Sequence, residues 1–252
     1  EDTDGSGAGG SCITGIGYIA GVRCMVSIDD YLTKGGSITP LGGKKRLRMA
    51  TLAMENKLPL ITLAQSGGGN LKLIGDFFGE SAQSFAQQCR LSAAGIPQIT
   101  VVHGSATAGG AYQPTLSDYL ILVRKQSTMY LAGPPLLKAA TGEIATDEDL
   151  GGAEMHSEIA GTNDYLAEND ADGIRIAREV MQKLGWNKKQ ALHAEASYQE
   201  PLFTADELRG IVPEDSKTPF DMREVIARIA DGSDFLEFKD DFDNGTLCGH
   251  ME

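Results

Sequence analysis

An apolar run that ends in paired glycines occurs in Pro97-Gln-Ile-Thr-Val-Val-His-Gly-Ser-Ala-Thr-Ala-Gly-Gly110. The segment Pro97 to His103 predicts a buried strand, because it is short, apolar and β-branched. Gly104 to Thr107 then predicts a turn, and Ala108 to about Leu116 a helix. A strand that feeds a glycine loop and then a helix is typical of parallel α/β proteins.

The same unit occurs once before in the chain. Leu58-Pro-Leu-Ile-Thr-Leu-Ala64 is a second short apolar run, and it stops at Gln65-Ser-Gly-Gly-Gly69. Helical spacing of apolar residues precedes each run, over Lys44 to Asn56 and over Ser81 to Ala94. Helix, strand and glycine loop, twice over, indicate parallel βαβ units whose ligands gather at the carboxyl ends of the strands.

Shorter elements flank these units. Three strands separated by glycines are predicted near the start, as a β-meander over Ser11 to Thr14, Tyr18 to Ala20 and Arg23 to Ile28. The second part of the chain predicts mostly helices and loops, with two packing faces. These faces consist of Ile174, Val180, Met181 and Leu184, and of Met222, Val225, Ile226 and Ile229.

Composition and charge exclude several classes of protein. The chain has 252 residues, 41% hydrophobic and 23% charged, which suffices for a sizeable folded core. The net charge of −13 argues against a nucleic-acid binder or a protein of anionic membranes. Residues 1–126 carry 11 basic and 9 acidic side chains, a charge of +2, whereas the other half carries −15. The first half could therefore receive an anion.

Cysteine usage and hydropathy bear on the compartment. Cys12, Cys24, Cys89 and Cys248 form no Cys-x-x-Cys pair, so we expect neither a metal on this chain nor a disulfide framework. The longest uncharged stretch is rich in Gly, Ser, Thr and Gln, so no membrane span is predicted, and no signal peptide is predicted either. We expect a cytoplasmic protein, or one of the mitochondrial matrix if the source is eukaryotic.

The paired glycines predict an anion site. A helix that begins at Ala108-Gly-Gly110 would leave backbone N–H groups unpaired, and the loop with Gly68 and Gly69 would lie beside it in a parallel sheet. Together they could donate hydrogen bonds to a carbonyl oxygen that becomes negative, each donor lowering the barrier by roughly 3 kcal/mol. The alternative is that these glycines only allow tight strand-to-helix turns.

The densest basic run suggests a second binding element. Lys44, Lys45 and Arg48 lie near the predicted start of a helix, where a phosphate-bearing ligand would be attracted. A solvated helix end is the alternative. Ser66 and Ser105 could be nucleophiles, but no Gly-x-Ser-x-Gly elbow is present and no base can be assigned to either.

Three motifs carry a resemblance to a known family. Leu131 to Glu143, Glu148 to His156 and Pro219 to Gly232 closely resemble the carboxyltransferase (β) subunits of biotin-dependent acyl-CoA carboxylases. The resemblance implies an α/β, crotonase-like (ClpP/crotonase) fold of stacked ββα units with a helical, acidic C-terminal part. It also implies an acyl-CoA-binding first domain over residues 1–195. Residues 196–252 would form a connecting segment and the first strand of a second, mostly absent domain.

The resemblance also implies an activity. A carboxyl group would pass from carboxybiotin, held on a separate carrier, to the α-carbon of an acyl-CoA thioester. Gly109 and Gly110 would hold the enolate oxygen, so no side-chain nucleophile is required. The implied partners are acyl-CoA, a biotin carboxyl carrier, a biotin carboxylase subunit and further copies of the chain. The motif at Leu131 to Glu143 is most similar to methylcrotonyl-type and longer-chain members.

The sequence departs from the family in two ways. The family usually has Asp-Ser-Gly-Gly-Ala-Arg where this chain has Gln65-Ser-Gly-Gly-Gly-Asn70, and its members are about twice as long. A weak likeness between Gly10 to Gly15 and Gly245 to Gly249 suggests the beginning of a second copy. Two other functions stay open: a hydrolase resembling Clp-type proteases, disfavoured because Thr107-Ala-Gly-Gly110 lacks a serine, and a non-catalytic acyl-CoA-binding scaffold.

Overall fold

The computed structural model describes residue 7 and residues 9–186, 198–243 and 245–251. The strands are β1 (Cys12–Ile19), β2 (Val22–Asp29), β3 (Leu60–Ser66), β4 (Gln98–Thr107), β5 (Tyr119–Val123), β6 (Thr128–Tyr130), β7 (Tyr165–Ala167), β8 (Phe235–Phe238) and β9 (Cys248–Met251). The α-helices are α1 (Pro40–Asn56), α2 (Ile74–Ala93), α3 (Gly109–Thr115), α4 (Pro134–Thr141), α5 (Asp147–Gly151), α6 (Asp170–Lys183), α7 (Leu208–Ile211) and α8 (Met222–Ile226).

One mostly parallel sheet organises the described residues. Its order is β1-β2-β3-β4-β5-β7, and β6 pairs with the end of β4. Within this sheet every pairing is parallel except that of β1 with β2. The predicted α/β class and the two parallel βαβ units are confirmed.

The predicted meander is wrong, because two strands replace three. Gly15 and Gly17 pair with Val26 and Cys24 inside a continuous β1, so they do not interrupt the strand. Instead Ala20 and Gly21, with φ of 48° and 76°, turn the chain back. Two successive residues with positive φ are the feature of a tight hairpin turn.

The start of α1 and the end of β4 differ from the sequence prediction. Helix α1 begins at Pro40, four residues before the predicted Lys44, because the Thr39 hydroxyl accepts the Gly42 N–H at 3.2 Å and proline suits the first helical position. Strand β4 continues through the predicted turn to Thr107. Its last three residues have β6 as a partner, and this pairing keeps them extended.

Helices cover both faces of the sheet. On one face, α6 packs Val180 and Met181 against strand residues such as Ile99 and Ile121, all at most 1% exposed. On the other face, α1 and α2 bury a cluster that includes Leu91. Burying each such side chain contributes about 1.5–3 kcal/mol, so these two layers fix the sheet edge that carries the glycine loops.

The predicted packing faces are only partly right. Val180 and Met181 are buried, but Ile174 is 46% exposed. The buried stripe of α6 instead runs from Gly173, where an added Cβ would lie 3.0 Å from the Val101 side chain, and Ile174 falls beside that stripe. The face predicted around Met222 and Ile229 is wrong, because α8 ends at Ile226 and both side chains are about half exposed.

The C-terminal segment packs on the first part of the chain. The rings of Phe238 and Tyr165 meet edge to face at 6.1 Å. The Lys239 ammonium donates to the carbonyl oxygens of Gly161 and Asn163 at 2.7 and 2.8 Å, and pairs with the Asp164 carboxylate at 3.0 Å. The domain boundary predicted between residues 195 and 196 lies outside the described residues.

Candidate functional site

A pocket opens between α1, α2, the start of α3 and the sheet. Its cavity volume is ≈ 70 Å³. Its walls combine apolar and polar groups. The lining residues are Ser27, Asp29, Ile38, Gly43, Arg46, Met49, Ala50, Leu60, Thr62, Ser81, Ser84, Phe85, Gln88, Leu91, Gly109, Gly110 and Gln113.

Gly109 and Gly110 line this pocket where β4 turns into α3. The turn is made at Ala108, which has φ 51° and ψ −120° and whose N–H donates to the Tyr130 carbonyl at 3.0 Å. The next N–H to find a partner is that of Ala111, which donates to the Ala108 carbonyl at 2.9 Å. The N–H groups of Gly109 and Gly110 have no acceptor among the residues that the structure describes. Two free backbone donors thus lie side by side at this pocket.

The first glycine loop lies against the second, as the parallel strands predict. Gly68 has φ 87°, and a Cβ there would lie 2.8 Å from the Thr107 carbonyl oxygen. Gly110 also lies close to Ser66, since a Cβ on it would lie 3.0 Å from the Ser66 Cβ. The predicted proximity of the two loops is confirmed. Gly68 and Gly69 themselves do not line the pocket within the described ranges.

Ser66 has a structural position. Its hydroxyl donates to the Gly36 carbonyl at 2.8 Å and accepts the Gly68 N–H at 3.2 Å, and its side chain is buried. The other candidate nucleophile, Ser105, shares a 3.2 Å hydrogen bond with the Thr107 hydroxyl. Neither hydroxyl contacts a histidine or a carboxylate in the described part of the chain. Neither serine is therefore activated as a nucleophile by a neighbouring base.

The basic run divides into residues with different surroundings. Lys44 and Arg48 are exposed on the second and third turns of α1, so the predicted position at the helix start is wrong. The Lys45 ammonium donates to the carbonyl oxygens of Gly9 and Cys12 at 3.0 and 2.5 Å, which ties α1 to the start of β1 and the segment before it. Among the described residues that line the pocket, none is Lys44, Lys45 or Arg48.

Sequence reasoning missed Arg46, which belongs to the same basic run and does line the pocket. Its guanidinium pairs with the Asp29 carboxylate at 2.5 Å, and both side chains are largely buried. Burial lowers the pKa of Arg46, but the adjacent Asp29 carboxylate outweighs burial and raises that pKa above its ordinary value. The guanidinium therefore stays charged at any physiological pH.

Polar strand residues were the unused signal for the pocket. Ser27 and Thr62 interrupt otherwise apolar runs, and register pairs them on the same sheet face. Gln88 and Gln113 are further polar lining residues, joined by a 2.7 Å bond from the Gln88 amide to the Gln113 carbonyl. Buried polar groups in strands cost free energy unless they meet a partner, so they indicate a ligand or a network.

Gln65, where the sequence differs from the motif of the family it resembles, makes two well-defined contacts. Its N–H donates to the second oxygen of Asp29 at 3.1 Å. Its side chain lies directly over Gly104, where an added Cβ would collide with the Gln65 amide. The first glycine loop is therefore fixed from both sides by Gln65.

Two further observations concern the described residues. All four cysteines are free thiols, with Cys12 and Cys24 buried and Cys89 and Cys248 exposed. No helix in the described ranges is both long enough and apolar enough to cross a bilayer.

Residues 3–251 match the family model described as the carboxyl transferase domain. The chain is 49% identical over 241 residues to a probable biotin-dependent acyl-coenzyme A carboxylase beta2 subunit of Mycobacterium tuberculosis, covering 96% of this chain and 45% of the relative. It is 46% identical to the mitochondrial methylcrotonoyl-CoA carboxylase beta chain of Dictyostelium discoideum, covering 96% and 42%.

Solved structures give the same result. The beta subunit of Pseudomonas aeruginosa geranyl-CoA carboxylase is 58% identical with a TM-score of 0.67, covering 97% of this chain and 46% of that one. A transcarboxylase 12S hexamer with methylmalonyl-coenzyme A bound is 31% identical with a TM-score of 0.84, covering 95% and 46%. The chain thus spans less than half the length of these relatives. The resemblance found in the three sequence motifs is confirmed: this chain belongs to the carboxyl transferase domain family.

Proposed function

We propose that the chain is the acyl-CoA-binding part of the carboxyltransferase component of a biotin-dependent acyl-CoA carboxylase. The observation that carries this proposal is that Gly109 and Gly110 line the pocket and that their N–H groups have no acceptor in the described part of the chain. Family membership and the names of the relatives support it. Methylcrotonoyl-CoA and geranyl-CoA in those names favour a branched or longer acyl group over a propionyl group.

The chain's role in the reaction is electrostatic. Carboxybiotin, when bound, supplies CO2 and then the base that takes the α-proton of the thioester. As the C–H bond breaks, its electron pair moves onto the thioester oxygen, and the N–H groups of Gly109 and Gly110 stabilise that negative charge. The pair returns as the α-carbon forms its bond to CO2. Preorganised amides of this kind are most effective in a site sheltered from water.

The same proposal assigns roles to the residues around the glycine pair and to the partners of the chain. Gly68 and Gly69 position the first loop beside the glycine pair, while Lys44 and Arg48 lie on the exposed side of α1, where the CoA phosphates would be attracted. The partners are a biotin carboxyl carrier, a biotin carboxylase subunit and further copies of the chain, in the cytoplasm or the mitochondrial matrix. The hexameric assembly of the transcarboxylase 12S relative supports the homo-oligomer.

The contacts of Ser66 and the place of Ala108 argue against the hydrolase alternative. Ser66 is buried and its hydroxyl is already bonded, and Ala108 occupies the position just before the helix where a nucleophile would stand. A scaffold that binds acyl-CoA without catalysis would also use the two free donors, so carboxyl-transfer activity of the holoenzyme distinguishes it from this proposal.

A matched pair of variants tests the role of Gly109. Gly109→Pro removes the N–H donor at the first helical position, where proline is otherwise tolerated. Gly109→Ala keeps the donor, and its added Cβ meets no described atom within 4 Å. In the assembled holoenzyme we expect Gly109→Pro to reduce kcat for carboxyl transfer by about 100-fold or more, with Gly109→Ala near the wild type. Equal activity of the two variants would overturn the oxyanion role.

A further inference from the structure

The direction of the N–H groups of Gly109 and Gly110 depends on Ala108, the residue just before α3. Ala108 has φ 51° and ψ −120°, a conformation that is unfavourable for a residue with a side chain. Such a conformation persists only where neighbouring groups impose it. The Ala108 N–H donates to the Tyr130 carbonyl at 3.0 Å, and the Ala108 carbonyl accepts the Ala111 N–H at 2.9 Å. The position of the Tyr130 carbonyl therefore helps to set the direction of the glycine donors.

Tyr130 ends β6, a strand of three residues that is held along both of its edges. On one edge β6 pairs with the end of β4. Successive carbonyl groups of a strand point to opposite edges, so the Met129 carbonyl points away from β4. There it lies 2.7 Å from His156 Nε2. The placement of so short a strand depends on such outer contacts as well as on its pairing with β4.

His156 is oriented by a second hydrogen bond. It lies in a π-helical turn, Met155–Ala160, a rare conformation that recurs at functional sites. Nε2 is the donor to Met129, because a carbonyl oxygen only accepts, and Nδ1 shares a 2.5 Å hydrogen bond with the Thr162 hydroxyl. His156 is not among the described residues that line the pocket, so any effect of this side chain on the reaction is indirect.

We propose that His156 is a positioning residue for carboxyl transfer, which fixes β6 and thereby directs the glycine N–H groups at the thioester oxygen. The connection runs from the imidazole to the Met129 carbonyl, along one peptide unit to the Tyr130 carbonyl, and from there to the Ala108 N–H. This inference rests on the proposed function, because it assumes that the glycine donors stabilise the enolate. A misplacement of about 1 Å in a catalytic site can lower a rate by about 100-fold.

Two substitutions separate the two hydrogen bonds of the ring. In His156→Gln the amide nitrogen reaches the place of Nε2 and can keep the bond to Met129, whereas the shorter amide of His156→Asn reaches only the place of Nδ1, next to Thr162. In the assembled holoenzyme we expect kcat to fall by about tenfold or more in His156→Asn and to stay within about threefold of the wild type in His156→Gln. KM for acyl-CoA should change by less than about twofold in both, because the donors act on charge that forms only in the transition state.

His250→Asn is the matched control, because it makes the same change on β9, where the His250 ring lies 5.8 Å from the Tyr119 ring. Thermal unfolding checks that each variant is folded. If His156→Asn does not fold, His156→Leu replaces it, since leucine fills the space of the ring without a donor. Equal kcat in the donor-free variant and in His156→Gln, or a loss that appears in KM alone, would refute the positioning role.

Gly109→Pro, measured beside these variants, separates the inference from the proposed function. A Gly109→Pro enzyme with wild-type kcat contradicts the proposed function, whereas a large loss in Gly109→Pro with none in His156→Asn contradicts only the inference. In the double variant, His156→Asn should lower kcat by a smaller factor than it does alone, because one of the donors that it positions is already absent. Factors that simply multiply would show that His156 affects catalysis by another route.

Discussion

The Asp29 carboxylate and the Arg46 guanidinium form a 2.5 Å ion pair in the wall of the pocket, with side chains 3% and 15% exposed. Asp29 ends β2 and Arg46 lies on α1, so the pair joins two elements. The second oxygen of Asp29 accepts the Gln65 N–H, so Asp29 also contacts the start of the first glycine loop. One carboxylate therefore holds together three segments around the proposed acyl site.

Removal of that carboxylate should be costly. In Asp29→Ala the Arg46 charge stays buried without a partner, and the Gln65 N–H loses its acceptor. We expect the free energy of unfolding to fall by roughly 3–5 kcal/mol, measured by urea denaturation. Glu168→Ala removes one partner of an exposed ion pair with Arg124 and should cost less than about 1 kcal/mol. Similar losses in the two variants would contradict the buried character of the Asp29 pair.

Two neighbouring glycines of the first loop should respond differently to alanine. At Gly68 a Cβ would meet the Thr107 carbonyl oxygen at 2.8 Å, and φ is 87°, so we expect Gly68→Ala to cost at least roughly 1–2 kcal/mol and to move the two glycine loops apart. At Gly67 the nearest atom would be 3.4 Å away and φ is not positive. Gly67→Ala should be nearly neutral.

Thermal unfolding and acyl-CoA affinity, measured on both variants, check this prediction. Weakened affinity in Gly68→Ala alone would agree with a loop that positions the glycine pair. Equal behaviour of Gly67→Ala and Gly68→Ala would show that contact between the loops is unimportant.

The fold was predictable because its strongest signals are local. The runs at Leu58 to Ala64 and Pro97 to His103 are short, apolar and bounded by glycine, and each forms a parallel strand. The predicted start of α1 at Lys44 lies four residues late, although Pro40 after the Thr39 cap is a start signal. The end of β4 was missed because its partner β6 is more than twenty residues away in sequence.

The site was predictable only where the backbone forms it. The glycine pair follows from a strand-to-helix junction, which sequence reveals directly. Asp29 and Arg46 are 17 residues apart, and nothing in that spacing says which of the basic residues of α1 points inward. Packing of α1 on the sheet decides it: Arg46 lies over β2, Lys45 lies under the segment before β1, and Lys44 remains in solvent.

Charge reversal on the exposed side of α1 tests the proposed phosphate contact. Lys44→Glu with Arg48→Glu should weaken CoA binding by about three- to tenfold at low ionic strength, with the effect shrinking as salt is added, because exposed charges are screened. Arg209→Glu with Lys217→Glu, two exposed changes in the C-terminal segment that alter the net charge by the same amount, is the control. Titrations at two salt concentrations give the answer, and an affinity unchanged at both would refute the phosphate role.

Burial of Cys24 predicts selective labelling of the thiols. Burial raises the pKa of the Cys24 thiol from its ordinary value of 9.0 to about 11, while Cys89 and Cys248 are exposed. Since only a thiolate reacts, we expect iodoacetamide at about pH 8 to label Cys89 and Cys248 and to leave Cys24 unmodified, as read by peptide mass spectrometry. Labelling of Cys24 at the rate of Cys89 would mean that the sheet core opens readily.

From the raised pKa of the Cys24 thiol we predict that the free energy of unfolding falls at alkaline pH. The unfolded chain ionises Cys24 near its ordinary pKa of 9.0, whereas the folded chain ionises it only near 11. The resulting stabilisation is complete below the unfolded pKa and is lost as pH rises through the folded pKa. Cys24→Ala isolates this contribution, because its unfolding free energy should decline less steeply between pH 9.0 and about 11 than that of the wild type. Urea denaturation across that interval measures both slopes, and parallel slopes would show that the thiol does not ionise on unfolding.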